Sequence, residues 1–328
     1  MQYRVLGRTG VKVSRLCGGT MAFGGDADES TSGQMYRYCR ELGINFFDSA
    51  NIYSGGLSEE ILGRLIQGER DELVIASKVG NAIGDGPNDG GLSRRHIVQA
   101  VEASLRRLRT DRLDLYFLHN TDDDTPMEET LAALDDLVRG GKILYPAVSN
   151  WAAWQIAMAL GHCALEGLAP FACIQPMYSL VKRQVEVEIL PLARSEGLGV
   201  ITYSPLGGGL LTGKYGIDRR PPRGRLLELD NYIKRYANPV FYEVADRFVR
   251  YASDRGVHPV TLAVAWAMGH RDVTAPIVGG RDLEQLKPSL AALDFAMSEE
   301  MREEVSALSI APPPATDRDD DMFKGRAT

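Results

Sequence analysis

The sequence predicts a closed (β/α)8 barrel of the TIM type, and three observations predict it. Eight short apolar runs recur along the chain. Most of them lack polar alternation, as strands covered on both faces do. A helical pattern follows nearly every one. The runs are 15-RLCGGT-20, 44-INFFDSA-50, 73-LVIASKV-79, 113-LDLYFLHN-120, 144-LYPAVSN-150, 172-ACIQPMY-178, 199-GVITYSP-205 and 273-VTAPIVGG-280.

Taken in order, the first 13 residues read as a short hairpin ahead of the barrel. The stretch 58-SEEILGRLIQG-68 has helical spacing. Residues 93–109 open on a Ser93 cap and carry apolar residues at helical intervals. Residues 126–142 begin with Pro126 and two acids and end at Gly140 and Gly141. The pattern over 184–197 contains Pro191, which implies a kink or a late helix start. Two more helices are expected over 259–270 and 282–293, and 298-SEEMREEVSAL-308 reads as an extra C-terminal helix. One barrel domain therefore spans 1–310, and 311-APPPATDRDDDMFKGRAT-328, rich in proline and acid, reads as a flexible tail.

Two connections exceed the usual two to six residues. They are 80-GNAIGDGPNDGGL-92 and the stretch 207–239, and both leave the C-terminal end of a strand, the face where barrels build sites. They read either as glycine-hinged lids or as disordered segments.

Composition narrows the function. With 328 residues, a net charge of -7 and 25% charged residues, the chain is an ordinary globular protein with no basic stripe for nucleic acid. No long uncharged apolar stretch suggests a membrane span, and MQYRVLGRTG lacks a signal core, so a cytoplasmic location is expected. Cys17, Cys39, Cys163 and Cys173 form no C-x-x-C pair, and the five histidines have no metal-ligand spacing, so no metal is expected. The segment 208-GGLLTGKY-215 nearly fits a P-loop, but Tyr215 stands where the Mg²⁺-binding hydroxyl belongs, which argues against ATP.

The chemistry sits at strand ends. Asp48 closes the second apolar run, Lys78 the third and His119 the fourth, while Tyr53 stands on the glycine-rich turn after Asp48. A charge after a buried run is costly unless paired, and Asp48 can pair with Lys78. An ammonium beside Tyr53 favours phenolate and lowers the phenol pKa from about 10. A neutral His119 can position a substrate oxygen. The set suits reduction of a carbonyl, with Tyr53 protonating the oxygen and a cofactor supplying hydride.

These residues carry a resemblance. The segments 47-FDSANIY-53, 58-SEEILG-63, 77-SK-78, 114-DLYFLH-119, 149-SN-150, Gln175 and 203-YSPLGGGLLTGK-214 resemble the aldo-keto reductases, in the branch that includes potassium-channel β subunits and bacterial sugar or natural-product reductases. The resemblance implies a catalytic tetrad of Asp48, Tyr53, Lys78 and His119. It implies NADPH or NADP⁺, with NADH as the alternative, bound on the rim without a Rossmann domain. Ser149, Asn150 and Gln175 would hold the carboxamide, and Tyr203 would stack on the nicotinamide. Ser204, Pro205, Leu206, Gly208, Leu210 and Lys214 would wrap the pyrophosphate, with Arg225 reaching in from the long loop. Gly279, Arg281 and Gln285 would meet the adenosine end, and Gly19, Thr20 and Met21 would complete the cofactor wall. The substrate would be a small carbonyl compound, with Phe23, Trp151 and Tyr178 as pocket candidates. The family often has Glu-Asn where this chain has Pro288-Ser289, and 145-YPAVSN-150 departs in its Pro-Ala pair.

Three other functions are consistent with parts of this pattern. One is the same reaction run backwards as an NADP⁺-dependent alcohol dehydrogenase. Another is a regulatory subunit that holds cofactor with little turnover. A barrel hydrolase built on Asp48 and His119 leaves Tyr53 and Lys78 without a role. Nothing in the sequence specifies an oligomer.

Overall fold

The computed structural model describes residues 1–316, so the expected tail lies outside the described residues from 317 onward. Strands β1 (Tyr3–Val5) and β2 (Lys12–Ser14) form an antiparallel hairpin with Tyr3 opposite Ser14. Eight parallel strands then close a barrel: β3 (Cys17–Gly19), β4 (Phe46–Asp48), β5 (Val74–Val79), β6 (Leu113–Leu118), β7 (Ile143–Ser149), β8 (Cys173–Gln175), β9 (Gly199–Thr202) and β10 (Ala275–Val278), with β10 pairing both β9 and β3. Closure leaves no open sheet edge.

The helices around it are α1 (Glu29–Glu41), α2 (Leu57–Leu65), α3 (Arg94–Leu108), α4 (Met127–Arg139), α5 (Ala153–Glu166), α6 (Ile189–Glu196), α7 (Arg225–Glu228), α8 (Asp230–Arg235), α9 (Val240–Asp254), α10 (Pro259–Met268), α11 (Leu283–Leu290) and α12 (Glu299–Ala307). Local chemistry sets several boundaries. The Ser93 hydroxyl accepts from the His96 N–H to open α3. Helix α6 starts late, at Ile189, which puts Pro191 in the first turn, where its missing N–H is harmless. The sequence pattern did not mark α1, α5 or α9. Helix α1 is mostly polar, and α5 is apolar nearly all round, so neither presents a clean stripe. Part of the long stretch 207–239 is helical in α7 and α8, and it buries Leu226, Tyr232 and Tyr236.

Two apolar layers hold the barrel. Phe47, Ile75, Tyr116, Leu118, Val148, Ile174 and Val200 face the helices. Cys17, Phe46, Ala76, Phe117, Ala147, Cys173, Ile201 and Ala275 fill the interior, with Leu6 and Val13 of the hairpin plugging the floor. Side chains alternate along a strand, so the residue two positions beyond an interior one points inward one layer higher. Counting on by two from six interior residues reaches Asp48, Lys78, His119, Ser149, Gln175 and Tyr203. The top layer of the barrel interior is thus polar by register, directly above an apolar one.

The floor plug is tight. Gly7 has φ +54°, and a Cβ there would lie 2.5 Å from the Gly199 nitrogen at the start of β9. We expect Gly7→Ala to destabilise the barrel by about 2–4 kcal/mol through strain and backbone displacement, read as a lowered urea midpoint with an unchanged m-value.

Candidate active site

The ammonium of Lys78 has three N–H donors, and all three are used. It donates to Asp48 Oδ2 at 2.6 Å, to the Ser49 carbonyl at 2.7 Å and to the Tyr53 hydroxyl at 3.2 Å. Lys78 is fully buried and Asp48 nearly so. The other Asp48 oxygen accepts from Gln175 Nε2 at 2.8 Å. A buried ion pair holds only when its remaining lone pairs and protons are satisfied in this way. Beneath it, the Thr20 hydroxyl donates to the Asp48 carbonyl and the Ser58 hydroxyl to the Thr20 carbonyl. This buried hydroxyl network ties the ends of β3 and β4 to the start of α2.

Tyr53 opens the tight turn Tyr53–Gly56 above β4, in which Ser54 and Gly55 are left-handed. Its oxygen accepts from Lys78, so its own proton is free to be donated elsewhere. The ring lies edge-on to His119, with centroids 6.2 Å apart. Burial raises the Tyr53 pKa above its ordinary value; Lys78 opposes this and Asp48 reinforces it. The lowered pKa expected from the ammonium alone is therefore reversed, because burial and the nearby carboxylate outweigh the ammonium. Burial lowers the Lys78 pKa, but Asp48 and Tyr53 more than restore it, and the net shift is upward.

His119 is the opposite case. Burial first, then the Lys78 charge, lower its pKa to about 3, so the ring is neutral. Asn120 Nδ2 donates to Asn81 Oδ1, which turns the Asn81 amide nitrogen toward His119 Nδ1 at 3.2 Å. Nδ1 therefore accepts and Nε2 carries the ring proton. Neither asparagine was singled out for this role from sequence, because the contact joins loops from two different strands.

The other rim residues form linked sets. The Ser149 hydroxyl donates to the Gln175 carbonyl at 2.8 Å, and the Tyr203 hydroxyl donates to Asn150 Oδ1 at 2.7 Å. Asn150 Nδ2 in turn donates to the His119 carbonyl. Ser54, Asn150 and Ser204 are non-glycine residues with left-handed φ of 50°, 61° and 58°, and each directly follows Tyr53, Ser149 or Tyr203. Pro205 and Leu210 are buried beside the turn Gly207–Thr212, where Gly207, Gly208 and Gly209 all have positive φ. A Cβ on Gly208 would meet Tyr236, Leu226 and Tyr232 at 3.0–3.2 Å, so the 224–236 segment packs directly on that turn. Leu206 is half-buried above it.

Lys214, Arg225 and Arg281 approach one another closely enough that Arg281 and Arg225 add to burial in lowering the Lys214 pKa. Arg281 also pairs with Asp26 at 3.1 Å, and Gln285 sits in the first turn of α11 beneath it. Gly279 lies against the Gly19 carbonyl. Three converging cations beside a glycine turn suit an anionic ligand such as a diphosphate. Met21 is exposed and Phe23 is buried with its carbonyl bonded to Ser54. Trp151 donates to the Asn120 carbonyl and lines a cavity that also touches Asn150, Gln175 and Tyr203. Tyr178 is fully buried, against Trp266 and bonded to Glu186, and offers no surface to a ligand. Asp122 folds its own loop by accepting from Leu92, Asp124 and Thr125.

The model of the aldo/keto reductase family matches residues 15–310. The chain belongs to this family. An uncharacterized oxidoreductase, YrpG, of Bacillus subtilis is 38% identical over 317 residues, 92% of this chain and 94% of that protein. A probable voltage-gated potassium channel subunit beta of Arabidopsis thaliana is 38% identical over 303 residues, 90% of this chain and 92% of that one. Norsolorinic acid reductase of Aspergillus flavus is 33% identical over 320 residues, 92% and 80% of the two chains. The match of this aldo/keto reductase to its family begins before β3 and ends beyond α12. Among the described residues, no helix is long and apolar enough to cross a membrane, and no three His, Cys, Asp or Glu side chains group as metal ligands.

The neutral histidine has a measurable consequence. The His119 pKa of about 3 lies below the ordinary 6.5, so below pH 6.5 the unfolded chain takes up a proton that the folded chain refuses. Its contribution is complete above pH 6.5 and is lost as pH falls toward 3, by at most about 1.4 kcal/mol per pH unit. His96 and His270 are shifted in the same direction. We therefore expect urea midpoints of the parent to fall more steeply between pH 6.5 and 4.5 than those of His119→Asn; parallel curves would contradict the assignment.

Proposed function

We propose that the chain reduces an aldehyde or ketone to an alcohol with NADPH, and that Tyr53 protonates the carbonyl oxygen. The observation that carries this reading is the Tyr53 hydroxyl at 3.2 Å from a fully engaged Lys78, with its own proton left free. When bound, a reduced nicotinamide supplies hydride to the carbonyl carbon. The raised pKa keeps Tyr53 protonated through the physiological range, so it is a stocked acid rather than a phenolate. As charge builds on the substrate oxygen, Tyr53 transfers its proton there, and Lys78 stabilises the phenolate that remains. Asp48 and Gln175 fix the ammonium. His119 Nε2–H donates to the same oxygen and orients it.

Ser149, Asn150 and Gln175 would hold the carboxamide, Tyr203 the ring, and the 204–214 turn with Lys214 and Arg225 the pyrophosphate. Gly19, Thr20 and Met21 complete the wall. Arg281 would exchange Asp26 for a phosphate on the adenosine ribose, which favours NADPH over NADH. Ser289 is buried in α11, so it offers no adenine contact in place of the asparagine common in the family. The channel-subunit relatives support a second reading, a cofactor-holding regulator. The same residues also run alcohol oxidation with NADP⁺.

Titration of intrinsic fluorescence is expected to give saturable NADPH binding that is tighter than NADH binding, with Arg281→Leu narrowing the gap. Tyr53→Phe is expected to lower kcat with any accepted carbonyl by about 10²–10⁴ while leaving NADPH affinity unchanged. Full turnover by Tyr53→Phe would overturn the assignment, and tight cofactor binding without turnover of any carbonyl by the parent would favour the regulatory reading.

A further inference from the structure

A cavity of about 740 Å³ opens beside the candidate site. Asn150, Gln175 and Tyr203 line it where it meets the site, and Trp151, Ile174, Val181 and Phe241 give it apolar walls. Ile310, Pro312 and Pro313 also line it. It is larger than a small aldehyde requires and suits an extended or polycyclic body.

Its charges are one-sided. Lys182, Arg183 and Arg235 line it, and no acidic side chain among its lining residues does. Arg183 is neutralised by Glu186 at 2.8 Å. Lys182 and Arg235 have no carboxylate partner among the described residues. The Lys182 ammonium lies 4.7 Å from the centre of the Phe241 ring, and the Arg235 guanidinium 5.2 Å from that of Tyr232. The two cations are also near each other: Arg235 adds to burial in lowering the Lys182 pKa. Arg235 is close enough to Tyr203 for its charge to act on that phenol. Two half-buried like charges over aromatic faces, with no carboxylate partner among the described residues, are costly to assemble and form a ready receptor for an anion.

We propose that this recess selects carbonyl substrates bearing an anionic group, a carboxylate in the simplest case, on an extended apolar or aromatic body, with Lys182 and Arg235 as the counter-charge. The proposal rests on the reductase reading and gives it a substrate class. The aromatic and aliphatic walls take the body, the carbonyl end reaches Tyr53 and His119 past Trp151, whose indole is bonded to the Asn120 carbonyl beside His119, and the two cations hold the anion. Lys214, Arg225 and Arg281 are assigned to the cofactor, although Arg225 and Arg235 share the Tyr232 ring, at 5.6 Å and 5.2 Å from its centre.

The test uses the full chain with NADPH and two probe substrates, 4-carboxybenzaldehyde and 4-methylbenzaldehyde. In Lys182→Met/Arg235→Met, the ratio of kcat/KM for the acid to that for the neutral aldehyde is expected to fall at least about tenfold, through KM of the acid. NADPH affinity should stay within about twofold and Arg235→Lys should keep most of the ratio. An equal loss for both aldehydes, or weakened NADPH binding with the ratio unchanged, would overturn the proposal. A second measurement does not need turnover. Calorimetric titration of the NADP⁺-loaded protein with 2-naphthoate and 2-naphthalenemethanol should show tighter naphthoate binding in the parent and none of that preference in the double variant. No preference in the parent sinks the recess even if both aldehydes are reduced. A preference without reduction of either aldehyde leaves the recess standing and sinks the reductase reading instead.

Discussion

The ion pair between Asp48 and Lys78 is the constraint around which the upper barrel is built. Two charges in a dry interior cost several kcal/mol each unless every proton and lone pair is met. Here three acceptors meet the ammonium, and a glutamine and a lysine meet the carboxylate. Those partners come from β4, β5, β8 and the turn that carries Tyr53. The pair therefore fixes the relative height of three strands and draws the tyrosine to one position. The hydroxyls of Thr20 and Ser58 extend the same network to β3 and α2. A second buried acid, Glu59, lies behind β5 between Arg107 and Ser77, so the strand bearing Lys78 is anchored on both faces.

Much of this was legible in the sequence for a simple reason. Strand side chains alternate, and a barrel interior must be apolar below and can be polar only at its mouth. An apolar run ending in Asp48, Lys78 or His119 therefore announces both a strand and a rim. Helices α5 and α1 were less legible because they lack a two-sided pattern: α5 carries hardly any charge, and α1 scatters Ser, Thr and Gly through its turns. Helix α9 is two-sided, burying Val244, Ala245, Phe248 and Ala252, and it follows so directly on the long stretch 207–239 that no break in pattern marks its start. What stayed hidden was whatever depends on two distant segments meeting. The Asn81–His119–Asn120 chain, the Lys182–Arg235 neighbours and the tyrosines of the 224–236 segment have no local signature. The direction of the Tyr53 shift was hidden too, because it follows from burial, which charge spacing along a chain does not express.

Local charge also runs against global charge. The chain carries -7 overall, yet Lys214, Arg225 and Arg281 approach one another, as do Lys182 and Arg235, with the Tyr232 ring between Arg225 and Arg235. Fields inside clefts are focused by low-dielectric walls, so these clusters dominate where an anion arrives. An anionic ligand would thus be guided by a few cations on a chain of net negative charge, and that attraction is short-ranged at physiological ionic strength.

The left-handed residues at the mouth have a further consequence. Ser54, Asn150 and Ser204 each occupy a conformation that costs a non-glycine residue about 1 kcal/mol, and each sits one step past a side chain that faces the site. The barrel thus accepts strain where the chain must turn at its mouth while holding that side chain steady. Glycine at these positions would relieve the strain and loosen the aim. Stabilising this protein and sharpening its site are consequently opposed demands on the same three turns, and selection for heat tolerance alone would be expected to erode the mouth before the floor.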